Sequence, residues 1–147
     1  MLAHSAATLG LRATVALAMF PRGTRIGLGW FGGGGWESTL EACSKWLIVL
    51  RPFAALVVLL VLLGPPLLLL GLGVRPLALA SIGLMIGSIA LVTGRVGYFM
   101  NWGGVEGRDE GFEYHLIVIG ACLAMLLLGP GRWSVDQRLA ARGGRNK

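Results

Sequence analysis

The sequence predicts an all-α membrane protein, a four-transmembrane-helix bundle with a short amphipathic interfacial helix between helices 1 and 2. Two observations carry most of this. The 147 residues are 55 % hydrophobic and only 14 % charged, with a mean hydropathy of +0.74; a soluble domain carries roughly 25 % charged residues. The apolar residues also fall into four runs, separated by Gly, Pro and charged breaks. At about 20 residues per span, this length holds four helices and short connections in a single domain, residues 1–147.

The first span is expected at about 6–26. It is not read as a cleaved signal peptide, because Arg12 interrupts the apolar run instead of preceding it. Arg12 lies near one end, where its long stem could snorkel to the headgroups. Pro21 should kink this helix, and Arg22 and Arg25 occupy its last turns, where cations suit the negative end of the helix dipole.

Gly27-Leu28-Gly29-Trp30-Phe31-Gly32 formally matches G-x-G-x-x-G. A nucleotide loop of that kind needs a preceding strand in a βαβ unit, and no such unit surrounds it. A glycine-rich turn, pinned at the interface by Trp30 and Trp36, is the expectation. From Trp36 to Leu50, polar Glu37, Ser38, Glu41, Ser44 and Lys45 interleave with Leu40, Cys43, Trp46 and Leu47 at helical spacing. This is the pattern of a helix lying on a membrane surface, with Glu41 and Lys45 as an i,i+4 pair.

The second span is expected at 52–72, bent or broken at Pro65-Pro66. A turn at Val74-Arg75-Pro76 leads to the third, 76–94. Here Gly83, Gly87, Ala90 and Gly94 recur at three- and four-residue spacing, a strip of small residues suited to close helix contact; Gly120 and Ala124 form a matching pair in the fourth span. That last span, 112–128, would be about 26 Å long, close to the ~30 Å hydrocarbon core. An acidic loop with Glu106, Asp109, Glu110 and Glu113 precedes it, and Trp102, Tyr114 and Trp133 flank it as interfacial rings.

The net charge of +6 would suggest nucleic acid in a soluble protein. Here Arg132, Arg138, Arg142, Arg145 and Lys147 concentrate in the tail 132–147, which reads as a cytoplasmic anchor facing anionic lipid. Both termini are therefore expected inside. Cys43 and Cys122 make no C-x-x-C and no metal spacing, and Cys122 is expected to be a buried apolar thiol.

Four spans bring the ends of helices 1 and 3 to the start of helix 4, so Arg22, Arg25, Arg95 and Tyr98 are expected near Glu113, Tyr114 and His115. Arg22, Arg25, Glu113, Tyr114 and His115 are the candidate ligand-binding set: fixed donors, a carboxylate to hold His115 or an arginine in place, and a titratable imidazole. A quinone headgroup needs donors of this kind at the mouth of an apolar channel. The alternative is that these groups pair with one another and with lipid phosphates. His4 and His115 fall at opposite ends, which excludes a haem held by both. No catalytic residue and no metal ligand is assigned.

Two segments carry a family resemblance. GFEYHLIVIGACLAMLLLGPGRWSVD is similar to the C-terminal signature of the DoxX family of small bacterial integral membrane proteins, and PRGTRIGLGWFGGGG resembles that family's P-H-G-x-x-K-x-x-G-W-F-G-G-G-G turn. The resemblance implies a multi-pass protein of the bacterial inner membrane and an association with quinone-linked oxidoreductase systems. It also exposes departures. Arg22 stands where the pattern has histidine, Ile26 where it has lysine (with Arg25 alongside), and Val61 where an intramembrane glutamate is common. Loss of that carboxylate argues against proton-coupled chemistry.

Three function classes follow: a quinone-interacting redox subunit, an accessory or structural membrane subunit without chemistry of its own, and a carrier of a small lipophilic molecule. The departures favour the second. The expected partners are the lipid bilayer, membrane or redox proteins and a second copy of the chain, not nucleic acid, and quinone is the one cofactor implied.

Overall fold

A computed structural model of the chain describes residues 2–44, 51–101, 103 and 110–143. Among them are six α-helices and no strand: α1 (Leu2–Leu28), α2 (Gly35–Ser44), α3 (Arg51–Leu70), α4 (Val74–Leu91), α5 (Glu113–Leu128) and α6 (Val135–Gly143). Expectations resting on Lys45, Trp46, Leu47, Trp102, Glu106, Asp109, Arg145 and Lys147 lie outside the described residues. The helix long and apolar enough to cross a membrane is α4; 55–70 and 113–128 are shorter apolar helices.

Helix α1 is continuous through Pro21. Below that proline the Thr24 hydroxyl donates to the carbonyls of Phe20 and Pro21, both at 3.1 Å. The glycine-rich stretch is a turn, with a 3-10 segment at Trp30–Gly32 and left-handed backbone at Gly29. It folds back tightly, since a Cβ at Gly33 would lie 2.1 Å from the Arg25 carbonyl oxygen. Helix α2 then returns against α1 and α3, fastened by the Thr39 hydroxyl, which donates to the Ile26 carbonyl at 3.2 Å.

Helix α3 runs unbroken through Pro65 and Pro66, so the break expected there as one outcome does not occur. It ends in a Schellman motif: Leu72 N–H donates to Leu67 O and Gly71 N–H to Leu68 O, both at 3.0 Å, with Gly71 at φ 74°. The N-terminus of α5 is closed by backbone carbonyls, as Phe112 N–H donates to Gly97 O (3.2 Å) and Glu113 N–H to Tyr98 O (2.9 Å).

The four long helices alternate in direction. Helix α1 packs mainly on α3 and α4 on α5, and these pairs meet along α3/α4 and α1/α5. Between them lies a core of Val15, Met19, Leu68, Ala78, Met85, Val118, Cys122 and Met125. The buried set also contains Ser5, Thr8, Arg12, Thr24, Ser81, Thr93, His115 and Ser134, while Leu17, Leu56, Leu79, Leu91, Ile117 and Leu127 point outward and exposed. The bundle thus keeps much of its polarity inside and turns many of its large aliphatic groups outward.

Two expectations fail here. Arg12 does not snorkel; it is buried, with only 1 % of its surface exposed, because it reaches the turn after α3 instead of the solvent. The small-residue strip does not mediate close helix contact within the chain either. A Cβ at Gly83, Gly87 or Gly120 would meet nothing within 4 Å, and Ala90 is exposed; the crowding at Gly94 comes from the nearby Ile89 carbonyl. Close approach occurs instead at Gly23, whose Cβ would fall 2.2 Å from the Val61 carbonyl oxygen on α3. Regular spacing marks a face, but which face meets a neighbour depends on how the helices are rotated.

Candidate functional site

At the end of the bundle where α1 finishes and α5 begins, Arg22, Tyr114 and His115 come together. The Arg22 guanidinium lies over the Tyr114 ring, 4.6 Å from its centroid, and one of its amino groups reaches the Glu110 carboxylate at 2.5 Å. The Tyr114 hydroxyl donates to the Ala18 carbonyl at 3.0 Å, tying α5 to α1. The His115 ring stands edge-on to Tyr114, with centroids 5.8 Å apart. Because His115 points inward from the first turn of α5, it is almost fully buried. Its Nε2 meets the Ser88 hydroxyl of α4 at 3.0 Å, and its Nδ1 is buried without a hydrogen-bond partner.

The other expected members are placed differently. The acid facing Arg22 is Glu110, not Glu113. Glu113 turns towards the preceding loop, where its Oε2 accepts the Met100 N–H at 3.3 Å, so it does not hold His115. Arg25 is exposed beside the Gly33 turn. Tyr98 packs edge-on against Phe99 and Phe112, and Arg95 is exposed on the Thr93–Arg95 turn. Such a half-exposed ion pair contributes little stability, about 0–1 kcal/mol. The hydroxyl and imidazole contacts are more enclosed.

A second polar cluster, at the opposite end, was not foreseen. Arg12 extends beneath the turn between α3 and α4, where one amino group donates to the Trp133 carbonyl at 3.4 Å; its Nε and Nη1 are buried without hydrogen-bond partners. Glycine is favoured at 71, where the backbone is left-handed (φ 74°) and a Cβ would sit 2.9 Å from Ser134 Cα and against the Arg12 guanidinium. Asp136, on α6, accepts from Gly73 N–H (2.8 Å) and Val74 N–H (3.1 Å), and its own N–H donates to Gly71 O (3.1 Å). A carboxylate therefore caps α4 from outside the helix, at the dipole's positive end. The tail begins as a docked helix. One sequence signal was available: Ser5, Thr8 and Arg12 share a helix face with Val15 and Met19, all of them buried.

No family model, curated protein or solved structure matches the chain.

Proposed function

We propose that the chain is a four-span protein of the bacterial cytoplasmic membrane, similar to the DoxX family, and an accessory or structural subunit of a quinone-linked redox system. The spans in this reading are α1, α3, α4 and α5, with α2 and α6 at opposite interfaces. Their outward-facing Leu17, Leu56, Leu79 and Ile117 favour it, since a water-exposed bundle would carry polar side chains on those faces. To test the spans, Leu79→Cys and Ile117→Cys are made in a background lacking both native cysteines. Both positions are well exposed on the bare protein, so in intact membranes they should resist a water-soluble maleimide. Rapid labelling would refute the bundle. Activity of a C-terminal periplasmic phosphatase fusion would refute the inward orientation.

The observation that favours an accessory role is the self-pairing of the polar cluster. Arg22 is engaged by Glu110 and Tyr114, Tyr114 by Ala18 and His115 by Ser88, all within the chain. Val61, where a glutamate is common in the family, is a buried apolar residue.

A second reading, a quinone or small lipophilic molecule bound at this cluster by an oxidoreductase subunit, draws on one observation: the buried, unpartnered Nδ1 of His115. Titration of the detergent-solubilised protein with a labelled quinone analogue separates the two. The accessory reading expects no saturable binding. The ligand reading expects binding that His115→Ala and Arg22→Ala each weaken about tenfold, equivalent to roughly 1.4 kcal/mol, while Arg138→Ala leaves it unchanged.

A further inference from the structure

At the α6 end, the Gly129–Gly131 turn, the start of α1 and the start of α4 enclose an open cavity of about 350 Å³, lined among others by His4, Arg75, Arg132 and Gln137. Two guanidinium groups, an imidazole and a primary amide face it, and among the described residues no carboxylate lines it. Neither Arg75 nor Arg132 has an ion pair or hydrogen bond among the described residues. An adjoining cavity shares Arg75, Pro130 and Gln137 and is bordered by Asp136, whose carboxylate is committed to the backbone N–H groups of Gly73 and Val74.

Asp136 is the carboxylate that serves both neighbouring helix ends, capping α4 and opening α6. Arg75 lies in the first turn of α4, and Arg132 just before α6. Both cations therefore sit beside positive helix ends, where a positive side chain is unfavourable and an anion favourable. The Arg75 side chain lies along the turn: its Nη2 is 3.8 Å from the position a Cβ would take at Gly129, whose φ is +75°.

We propose that this cavity binds a phosphate group, gripped between Arg75 and Arg132, with His4 and Gln137 as further donors. Guanidinium forks match phosphate oxygens geometrically and electrically. The chemistry is shared by an anionic phospholipid headgroup and a soluble phosphate ester. Leu128 and Pro130 give the cavity an apolar wall that a glycerol backbone or acyl chain would cover. The lipid form rests on the membrane reading above; the phosphate chemistry does not.

The full chain in a non-ionic detergent is titrated with dioctanoyl phosphatidic acid, with inorganic pyrophosphate and with dioctanoyl phosphatidylcholine. The anionic lipid should bind saturably and at least about tenfold tighter than the zwitterionic one. Arg75→Gln and Arg132→Gln should each weaken it about tenfold, whereas Arg138→Gln, which removes the same charge from the exposed side of α6, should change it less than about twofold. Arg132 is exposed in a turn, so its variant should keep the wild-type melting temperature and report binding alone. Pyrophosphate binding with the same variant dependence would make the ligand a soluble phosphate; binding of the lipid alone would make it a headgroup. Equal losses in all three variants would overturn the site in favour of a diffuse basic surface, and absence of saturable binding to either anionic probe would overturn it outright.

Discussion

Gly23→Ala tests the packing of this bundle where the α1 backbone meets the α3 backbone. An added Cβ would stand 2.2 Å from the Val61 carbonyl oxygen, 2.9 Å from its carbonyl carbon and 3.2 Å from Leu62 Cα. All three are backbone atoms, so no side chain can swing aside. Restoring ordinary contact at about 3.4 Å requires α1 and α3 to separate locally by roughly 1.2 Å. Overpacking of this kind costs about 1–3 kcal/mol, and the immovable backbone argues for the upper half of that range. Replacing a mid-helix glycine by alanine returns about 0.5–1 kcal/mol through backbone entropy. The net expectation is a loss of about 1–2.5 kcal/mol, read as a fall of several degrees in the detergent melting temperature. Gly87→Ala is the matched control, because its Cβ would meet nothing within 4 Å; it should melt at or slightly above the wild type. A Gly23→Ala protein as stable as the Gly87→Ala protein would refute the α1/α3 contact.

Three further predictions are independent of that one. Asp136→Ala removes the acceptor for two N–H groups at the start of α4 and should cost about 1–2 kcal/mol in a detergent or denaturant melt. Gly71→Ala should cost more, since it forces a side chain into a left-handed backbone and into Arg12; limited proteolysis of the segment before α6 should accelerate if Arg12 is what the turn packs against. Cys122 is fully buried in the core, so it should react with a membrane-permeant thiol reagent only after unfolding, and prompt labelling in the native protein would contradict the packing of α4 on α5.

Some features were legible residue by residue. The glycine-rich run ending at Gly35 and the Gly129–Gly131 stretch located two of the breaks between helices, where glycine readily takes the left-handed backbone. The turn expected at Val74-Arg75-Pro76 lies instead at Gly71–Gly73, and Val74, Arg75 and Pro76 open α4. Uncharged runs located the long helices to within a few residues. The meeting of Arg22, Tyr114 and His115 followed from counting helix directions. Which carboxylate would face Arg22 did not follow, since Glu110 and Glu113 both precede or open α5 and only the path of the loop decides between them.

What the amino-acid sequence determined by itself is therefore local: helix content, turn positions, and which residues lie at which end. Tertiary structure decided the rotation of each helix about its own axis. That rotation turned Gly83, Gly87 and Gly120 away from any neighbour, put Gly23 against the Val61 carbonyl, and carried Arg12 inward to the Gly71 turn and α6. The reason is physical. A helix that is apolar on most sides presents several nearly equivalent faces for packing, and the selection among them rests on contacts between residues such as Arg12 and Trp133, 121 positions apart in the chain.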